Sequence, residues 1–292
     1  MLPRHFRVGS VRRRVGSQHV LSRSNSTSSS TPTPKDVVAQ EDKQAQEDVL
    51  PFLPRPLGVV DPPSTLRKTW TEKTQELMDQ DVRMARRKHI VKEATKGYYS
   101  DFHALRKFGG KTWIGPPSLI REQNALYFPD VAGVSLSTRE KAHTTDICAG
   151  NISVVAMMST KISEEHVDSF VRPTNDAYLK DPRYRFVQIN LQENTLKGFL
   201  VSFYLNTLRK TIPPELHSTY LFSTQNMEYE REPLGMTNKH IGFVYLLDQN
   251  LKVRWAGGGL ARDEESRSLR TCVHVLLNRI SRPVASSPPL NQ

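Results

Sequence analysis

The stretch NISVVAMMS, residues 151–159, contains five consecutive apolar residues, Val154–Met158. A short apolar run of this kind predicts a strand that is buried on both faces. Ser163 and the two glutamates after it are typical of a helix start, so we expect the strand to lead directly into a helix. Arg172–Pro173 is predicted to end or interrupt that helix, because a proline restricts the residue before it.

The next part of the chain repeats the strand-then-helix pattern. RYRFVQINL, residues 183–191, predicts a second strand. Asn190 and Glu193 resemble a capping box, which predicts a helix that continues to about Lys210. Apolar residues at i, i+3 and i+4 spacing are expected to line its inner face, namely Leu196, Phe199, Leu200, Phe203, Tyr204 and Leu208.

Residues 241–259, IGFVYLLDQNLKVRWAGGG, predict a hairpin. Its first strand is expected to end before a turn at Asp248–Asn250. In the second strand apolar and basic residues alternate, so one set of side chains is predicted to point inward together. That set is Leu251, Val253 and Trp255.

A final helix is predicted to begin at a cap on Asp263 and to end before Pro283. The complete order is then strand, helix, strand, helix, strand, strand, helix. This is the order of a thioredoxin-like sandwich, in which a mixed central sheet has helices on both faces. We therefore predict an α/β fold of this class for residues 126–282.

The N-terminal segment has a distinct composition. Residues 1–35 contain six Arg, one Lys and no acidic residue. An Arg-rich, Ser-rich and acid-free N-terminus is typical of a mitochondrial transit peptide, and a disordered basic tail or an RNA-binding arm is the alternative. Without this segment the formal charge falls from +11 to +4, so most of the basic excess lies within it.

Three further segments are expected to lie outside the sandwich. Residues 36–65 are rich in Pro, Gln and acids and predict a disordered linker. Residues 66–125 predict a charged helical arm followed by an irregular lead-in that is rich in Gly, Pro and aromatic residues. Residues 283–292 predict a disordered tail. The chain has no run of 18 apolar residues, so any membrane contact is expected to be peripheral.

A thioredoxin-like pattern raises the question of thiol chemistry. Redox enzymes of this fold carry a reactive Cys where the first core strand meets its helix. Here that turn, residues 158–163, reads MSTKIS, and Asn238–His240 stands where the substrate-binding cis-proline is expected. Cys148 lies at the opposite end of the strand and Cys272 lies inside the last helix. We therefore predict that the protein is not an enzyme and has no catalytic residue.

The sequence also lacks the patterns of a cofactor or metal site. Cu(I) needs thiolates close together, and only two half-sites can be drawn, His143 with Cys148 and Cys272 with His274. Surface histidines and buried cysteines are the simpler interpretation. Gly257–Gly259 fits neither a Walker loop nor GxGxxG and predicts a flexible turn. We expect no cofactor, no metal and no small-molecule substrate.

The remaining candidates are partner-binding residues on the second helix. Val201 and Leu205 lie off its main apolar face and are followed by Arg209 and Lys210. This arrangement predicts a surface that docks on a hydrophobic client or at the membrane edge, with its basic end on anionic lipid. The alternative is a core helix in which both apolar residues contact neighbouring elements.

The aromatic lead-in supplies a second set of candidates, Trp113, Tyr127 and Phe128. Aromatic residues are enriched at protein interfaces, so these three predict a partner surface. A belt that seals the edge of the sandwich is the alternative interpretation.

Seven short stretches, in this order and spacing, resemble the mitochondrial ATPase-complex assembly-factor family over roughly residues 66–280. They are GGKTWIGP, ALYFPDVAG, ISVVAMMS, INLQEN, TIPPELHSTYLFS, NKHIGFVYLLD and VRWAGGG. The resemblance implies a chaperone of the ATP synthase Fo subunit a, also called subunit 6, on the matrix side of the mitochondrial inner membrane. It also implies that the protein binds newly made subunit a and supports its joining to the c-ring.

Two other functions stay open at this point. A divergent thioredoxin- or peroxiredoxin-like redox enzyme would fit the fold, but the cysteine pattern argues against it. A mitochondrial RNA-binding or translation factor would fit the basic charge. Most of that charge lies in the predicted transit peptide, so we expect a protein partner and no nucleic acid.

Overall fold

Seven strands form one mixed sheet in the computed structural model, which describes residues 50–65, 108–192 and 198–280 and eight positions from 78 to 91. The strands are β1 (Ala132–Ser135), β2 (Lys141–His143), β3 (Ile152–Met158), β4 (Tyr184–Leu191), β5 (Tyr220–Ser223), β6 (Phe243–Leu247) and β7 (Val253–Gly258). The helices among these residues are α1 (Thr144–Cys148), α2 (Lys161–Tyr178), α3 (Gly198–Thr211) and α4 (Asp263–Ile280), with a 3-10 helix at Pro214–Thr219. The predicted transit peptide, the C-terminal tail and most of the helical arm lie outside the described residues.

The strand order across the sheet is β2-β1-β5-β4-β3-β6-β7. Strand β3 is parallel to β4 and antiparallel to β6, and β6 is antiparallel to β7. Together with α2, α3 and α4, these four strands have the connectivity of the thioredoxin fold, which confirms the predicted class. Strands β1, β2 and β5 extend the sheet beyond β4, and the sequence reasoning did not predict them.

Strand β3 is buried at all seven of its positions, as its apolar run predicted. The face that carries the three longer helices is one hydrophobic cluster. In it Val154 and Ala156 of β3 pack with Phe170 of α2, Leu208 of α3 and Val273 of α4. Burying a side chain of the size of valine, leucine or phenylalanine stabilises the fold by about 1.5–3 kcal/mol.

The opposite face of the sheet is covered differently. Val155 and Met157 of β3 pack there with Cys148 of the short helix α1 and with Trp113 and Phe128 of the lead-in. The residues that cover this face therefore come mostly from irregular segments that precede β1 or lie between β5 and β6 in sequence.

Residues 50–64 belong to this second cover, which corrects the prediction of a disordered linker for that part of residues 36–65. Leu57 is only 2% exposed. Val59 exchanges two backbone hydrogen bonds with Tyr127, at 2.8 and 2.9 Å. The segment has too few apolar residues to form a core of its own, and the sheet supplies the apolar partner that composition alone could not indicate.

Two predicted helix boundaries were wrong. Helix α2 continues through Pro173 to Tyr178, because its packing against the sheet outweighs the one backbone hydrogen bond that a proline removes. Asn190 is a residue of β4 and not a helix cap. Its Nδ2 donates to the hydroxyls of Tyr204 and Tyr220, at 3.2 and 3.1 Å.

The hairpin of β6 and β7 contains a bulge that the alternating pattern did not predict. Leu246 pairs with Trp255, whereas Leu247 pairs with Val253, so Arg254 is an extra residue on β7. As a result Trp255 packs on the helical face and Val253 on the opposite face. The prediction that both point to one side is therefore wrong.

Two glycines of the predicted flexible turn are buried strand residues. Gly257 and Gly258 lie in β7, and only Gly259, with φ +70°, turns the chain. A Cβ on Gly257 would lie 2.7 Å from carbon atoms of both Phe170 and Trp255. The glycine is needed for the close approach of α2 to the sheet, which corrects the interpretation as a flexible turn.

A buried ion pair fastens the lead-in to the start of α4. The Lys111 ammonium lies 2.6 Å from Glu265 Oε2, and both side chains are almost fully buried. The Glu265 carboxylate also accepts the backbone N–H groups of Gly115 and Arg262, at 2.7 and 2.9 Å. Burial lowers the pKa of Lys111, and Glu265 partly offsets that change. The Lys111 ammonium stands over the Phe170 ring at 5.1 Å.

We predict that Gly257→Ala destabilises the protein by about 1–3 kcal/mol, because the added methyl group overlaps Phe170 and Trp255. Chemical denaturation measures the change. Gly150→Asn is the control, because that site has open space and a φ of +75° that Asn tolerates. Equal stability of the Gly257→Ala variant and the wild type would contradict the packing described.

We predict that Lys111→Met destabilises the fold by about 3–5 kcal/mol, because it leaves the Glu265 carboxylate buried without its cation. The double variant Lys111→Met/Glu265→Gln should lose less stability than the single variant, since no unpaired buried charge remains. Both are measured by denaturant titration. A double variant that is less stable than Lys111→Met alone would refute this account.

Candidate functional site

The turn between β3 and α2 occupies the position at which redox enzymes of this fold carry their reactive thiol. Thr160 caps α2 here: the Ser163 N–H donates to Thr160 Oγ1 at 3.1 Å, and the Thr160 N–H donates to Ser163 Oγ at 2.9 Å. This reciprocal capping box starts the helix at Lys161, slightly before the predicted start at Ser163. Backbone N–H groups at the start of the helix thus donate to the hydroxyl oxygens of Thr160 and Ser163.

Hydrogen bonds also close this turn against the loop that precedes β6. Ser159 Oγ donates to the carbonyl of Lys239 at 2.8 Å, and Thr160 Oγ1 donates to the carbonyl of His240 at 3.1 Å. No peptide bond in the described ranges is cis. In a redox enzyme of this fold, the turn after β3 and the loop before β6 would together hold a substrate disulfide. In this chain the two segments are hydrogen-bonded to each other instead.

The two cysteines are buried, and neither lies in this turn. Cys148 packs in the cluster on the lead-in side of the sheet, and Cys272 packs in the cluster on the helical side. Burial raises the pKa of Cys148 to about 12 and that of Cys272 to about 11. Because the sheet separates them, the two thiols cannot form a disulfide with each other in this fold.

The two metal half-sites drawn from the sequence do not assemble in the described part of the chain. His143 Nδ1 lies 2.5 Å from Asp130 Oδ2. The exposed His274 instead contacts the Tyr178 hydroxyl and the Asn278 amide, at 3.1 and 2.9 Å. Among the residues that the structure describes, no group of three or more His, Cys, Asp or Glu side chains is arranged around a common point.

Three of the predicted partner-binding residues are core residues. Trp113 and Phe128 are 7% and 2% exposed and pack against the sheet, as the alternative of a sealing belt predicted. Leu205 is 4% exposed and packs in the helical cluster. These three are therefore withdrawn from the candidate surface.

The other two apolar candidates have a different outcome. Tyr127 is half-buried under the Lys252 ammonium, which lies 5.6 Å from the centre of the Tyr127 ring. The Val201 side chain lies outside the described residues.

The basic end of α3 is only partly available to a partner. Arg209 donates from Nε to the carbonyl of Leu136 at 2.7 Å and from a terminal nitrogen to the carbonyl of Ser137. The guanidinium therefore fixes α3 to the end of β1. Lys210 is exposed and remains a candidate for contact with lipid or an acidic partner.

The sequence reasoning missed a groove on the helical side of the sheet. It has a volume of about 350 Å³ and lies between α2 and the segment that follows α3. Its apolar lining comes from Met158, Val167, Val171, Phe186, Ile212, Leu216 and Tyr220. Ile212 and Leu216 are half-buried, so the groove exposes apolar surface on one wall. Five separate elements build it, namely α2, β3, β4, β5 and the segment after α3, and no local pattern could have indicated it.

The rim and floor of this groove carry polar groups. Lys161, Glu164, Glu165 and Asp168 of α2 form its charged rim, three carboxylates against one ammonium. On the floor, Gln188 Oε1 is buried without a hydrogen-bond partner among the described residues. The groove is thus apolar, acidic at its edge, and has an unused hydrogen-bond acceptor.

The fold and these sites define a class of protein: a thioredoxin-fold protein with hydroxyl side chains in place of a redox thiol. Comparison with known families then identifies its family. The model of the ATP10 protein family matches residues 35–276. The chain belongs to this family, which confirms the family resemblance found in the sequence.

Known proteins of several fungi are similar to this chain. The mitochondrial ATPase complex subunit ATP10 of Candida glabrata is 28% identical over 230 residues, which is 77% of this chain and 84% of that protein. The protein of the same name from Saccharomyces cerevisiae is 27% identical over 235 residues, which is 74% of this chain and 84% of that protein.

Solved structures that align with this chain include bacterial thiol:disulfide proteins. A putative thiol:disulfide interchange protein DsbE from Chlorobium tepidum aligns with a TM-score of 0.37 and 17% identity, over 52% of this chain and 96% of that chain. A DsbF homologue from Corynebacterium diphtheriae aligns with a TM-score of 0.38 and 15% identity, over 57% and 95%. In this chain, no helix of the described ranges is both long and apolar enough to cross a membrane.

We predict that neither thiol reacts with iodoacetamide in the folded protein at pH 8. With a pKa of about 11 or above, at most about one thiol in a thousand is ionised at that pH. Mass spectrometry after a timed reaction counts the modified cysteines, and the guanidinium-unfolded protein, in which both should react, is the control. Modification of either residue in the native protein at the rate of a free thiol would disprove the assignment.

Proposed function

We propose that this chain is an assembly factor of mitochondrial ATP synthase that binds newly made Fo subunit a and promotes its joining to the c-ring. It does so as a chaperone, without catalysis. The membership in the ATP10 family supports the link to this complex. Its relatives are named as subunits of the mitochondrial ATPase complex, which points to the same assembly.

The observation that carries a binding role rather than a redox role is the state of the thiols. Thiol–disulfide exchange needs an accessible thiolate, usually at a helix N-terminus. In this chain Ser159 and Thr160 stand at that position, and their hydroxyls donate to the carbonyls of the facing loop. Cys148 and Cys272, its two cysteines, are buried on opposite faces of the sheet.

The proposed location is the matrix side of the mitochondrial inner membrane, with peripheral contact to the membrane. The Arg-rich, acid-free composition of residues 1–35 supports import into the organelle. Lys210 is an exposed cation that anionic lipid would attract, while Arg209 beside it is held by backbone carbonyls.

We predict that cells without this protein still form the catalytic head of ATP synthase, while newly made subunit a becomes unstable and does not join the c-ring. Pulse labelling of organelle translation products, followed by native gel electrophoresis, measures both. Crosslinking in organelles that actively synthesise their own proteins should recover subunit a with this chain. Normal assembly of subunit a in its absence would refute the proposal.

A thiol-free variant provides the matched control for this experiment. Cys148→Ala/Cys272→Ala should restore assembly of subunit a to the level that its remaining stability allows, since neither thiol takes part in chemistry. Denaturant titration of the same variant shows how much stability the substitutions cost. A stable variant that fails to restore assembly would favour a redox function instead.

A further inference from the structure

We infer that the groove between α2 and the segment after α3 is the client-binding site, and that it takes a short apolar segment that adjoins a Lys or Arg residue. The inference rests on the proposed function, because the client is taken to be a membrane protein. It goes further by assigning the surface and the chemistry of the segment that the surface holds.

The size of the groove limits what it can bind. Its volume of about 350 Å³ lies at the lower end of the range of about 300–1,000 Å³ for ligand pockets. This space accommodates a few large side chains and is far too small for a membrane-spanning helix of about 20 residues. The occupant is therefore a short apolar segment that presents side chains to the groove.

The apolar wall supplies the attraction. Ile212 and Leu216 lie half-buried beside the buried side chains of Phe186 and Tyr220, so apolar surface is left partly in contact with water. Covering that surface with leucine-like side chains releases the water in contact with it, which favours the complex.

The charged rim selects the residue beside the apolar segment. Glu164 pairs with Lys161 at 2.9 Å, and Asp168 pairs with Arg172, so these two carboxylates are already partly neutralised. Glu165 is exposed and forms no ion pair among the described residues. A cation that follows the apolar segment would meet this carboxylate, whereas an acidic residue would be repelled.

A membrane-protein client has this chemistry at the ends of its spanning segments. Loops on the side from which a segment is inserted carry an excess of Lys and Arg next to the apolar span. An apolar groove with an acidic edge is complementary to that junction. A soluble amphipathic surface has no such fixed order of apolar and basic residues.

Gln188 adds a specific polar contact. Its Oε1 lies on the floor without a partner among the described residues, and an unsatisfied buried acceptor costs stability. If the Gln188 side chain turns toward the groove, this oxygen can accept a backbone N–H of the bound segment. Replacing Gln188 with Met should therefore weaken binding without destabilising the free protein, which a purely structural role would not do.

The direct test uses the full chain and two labelled synthetic peptides, one with four Leu followed by two Lys and one with two Glu in place of Lys. Fluorescence anisotropy measures the affinities. The Lys peptide should bind at least about tenfold more tightly than the Glu peptide, and Glu165→Lys and Leu216→Lys should each weaken it by about tenfold or more. The matched controls, Glu140→Lys and Leu260→Lys, change exposed residues away from the groove and should bind like the wild type.

Equal affinity for the two peptides, no binding by the wild type, or equal effects of the groove variants and their controls would each overturn the inference. Expression of the same variants in cells that lack the chain separates the two proposals. Loss of subunit a with Glu165→Lys and its retention with Glu140→Lys supports the groove. A third result is that deletion of the chain blocks assembly while every groove variant still assembles subunit a normally. That result would refute the groove as the client-binding site, and the proposed assembly function would still hold.

Discussion

The whole structure depends on one constraint, the burial of β3 on both faces. A strand with seven buried residues needs an apolar layer on each face. In this chain the two layers differ in secondary structure. Helices α2, α3 and α4 cover one face, while α1 and irregular segments from residues 50–64 and 111–131 contribute to the other. The buried pair of Lys111 and Glu265 joins the two covers, because it links the lead-in to the first turn of α4.

The same constraint buries both cysteines. Each cysteine lies in one of the two apolar covers, where the low-dielectric surroundings favour the neutral thiol. The helix N-terminus that lowers a thiol pKa in redox enzymes is here satisfied by Thr160 and Ser163. The scaffold of the fold is thus retained, while the groups that would make and break sulfur bonds are absent from its usual reactive position.

Local patterns in the sequence predicted the elements whose structure depends mainly on residues that are close together in the chain. The apolar run of β3, the strand at β4 and the hairpin of β6 and β7 were found in this way. Strands β1 and β2 were missed because three or four residues carry too little periodicity to be recognised. The packed segment 50–64 and the strand glycines were misassigned because their structure comes from contacts with residues far away in sequence, and composition does not report such contacts.

The candidate site was the least predictable part for the same reason. Apolar residues off the main face of a helix fit both a docking surface and a core contact, and for Leu205 the core contact was the right interpretation. The groove draws its lining from α2, three strands and the segment after α3, so only the folded chain brings its residues together.

The construction of the groove also determines where its selectivity can reside. Its floor is made of Phe186, Tyr220 and other core side chains, whose replacement would cost stability before it changed any affinity. The rim residue Glu165 is exposed and free of that restriction, whereas Leu216 of the apolar wall is half-buried against the core. A groove of this kind keeps a constant apolar floor for the attraction, while the charge at its edge decides which apolar segment is accepted.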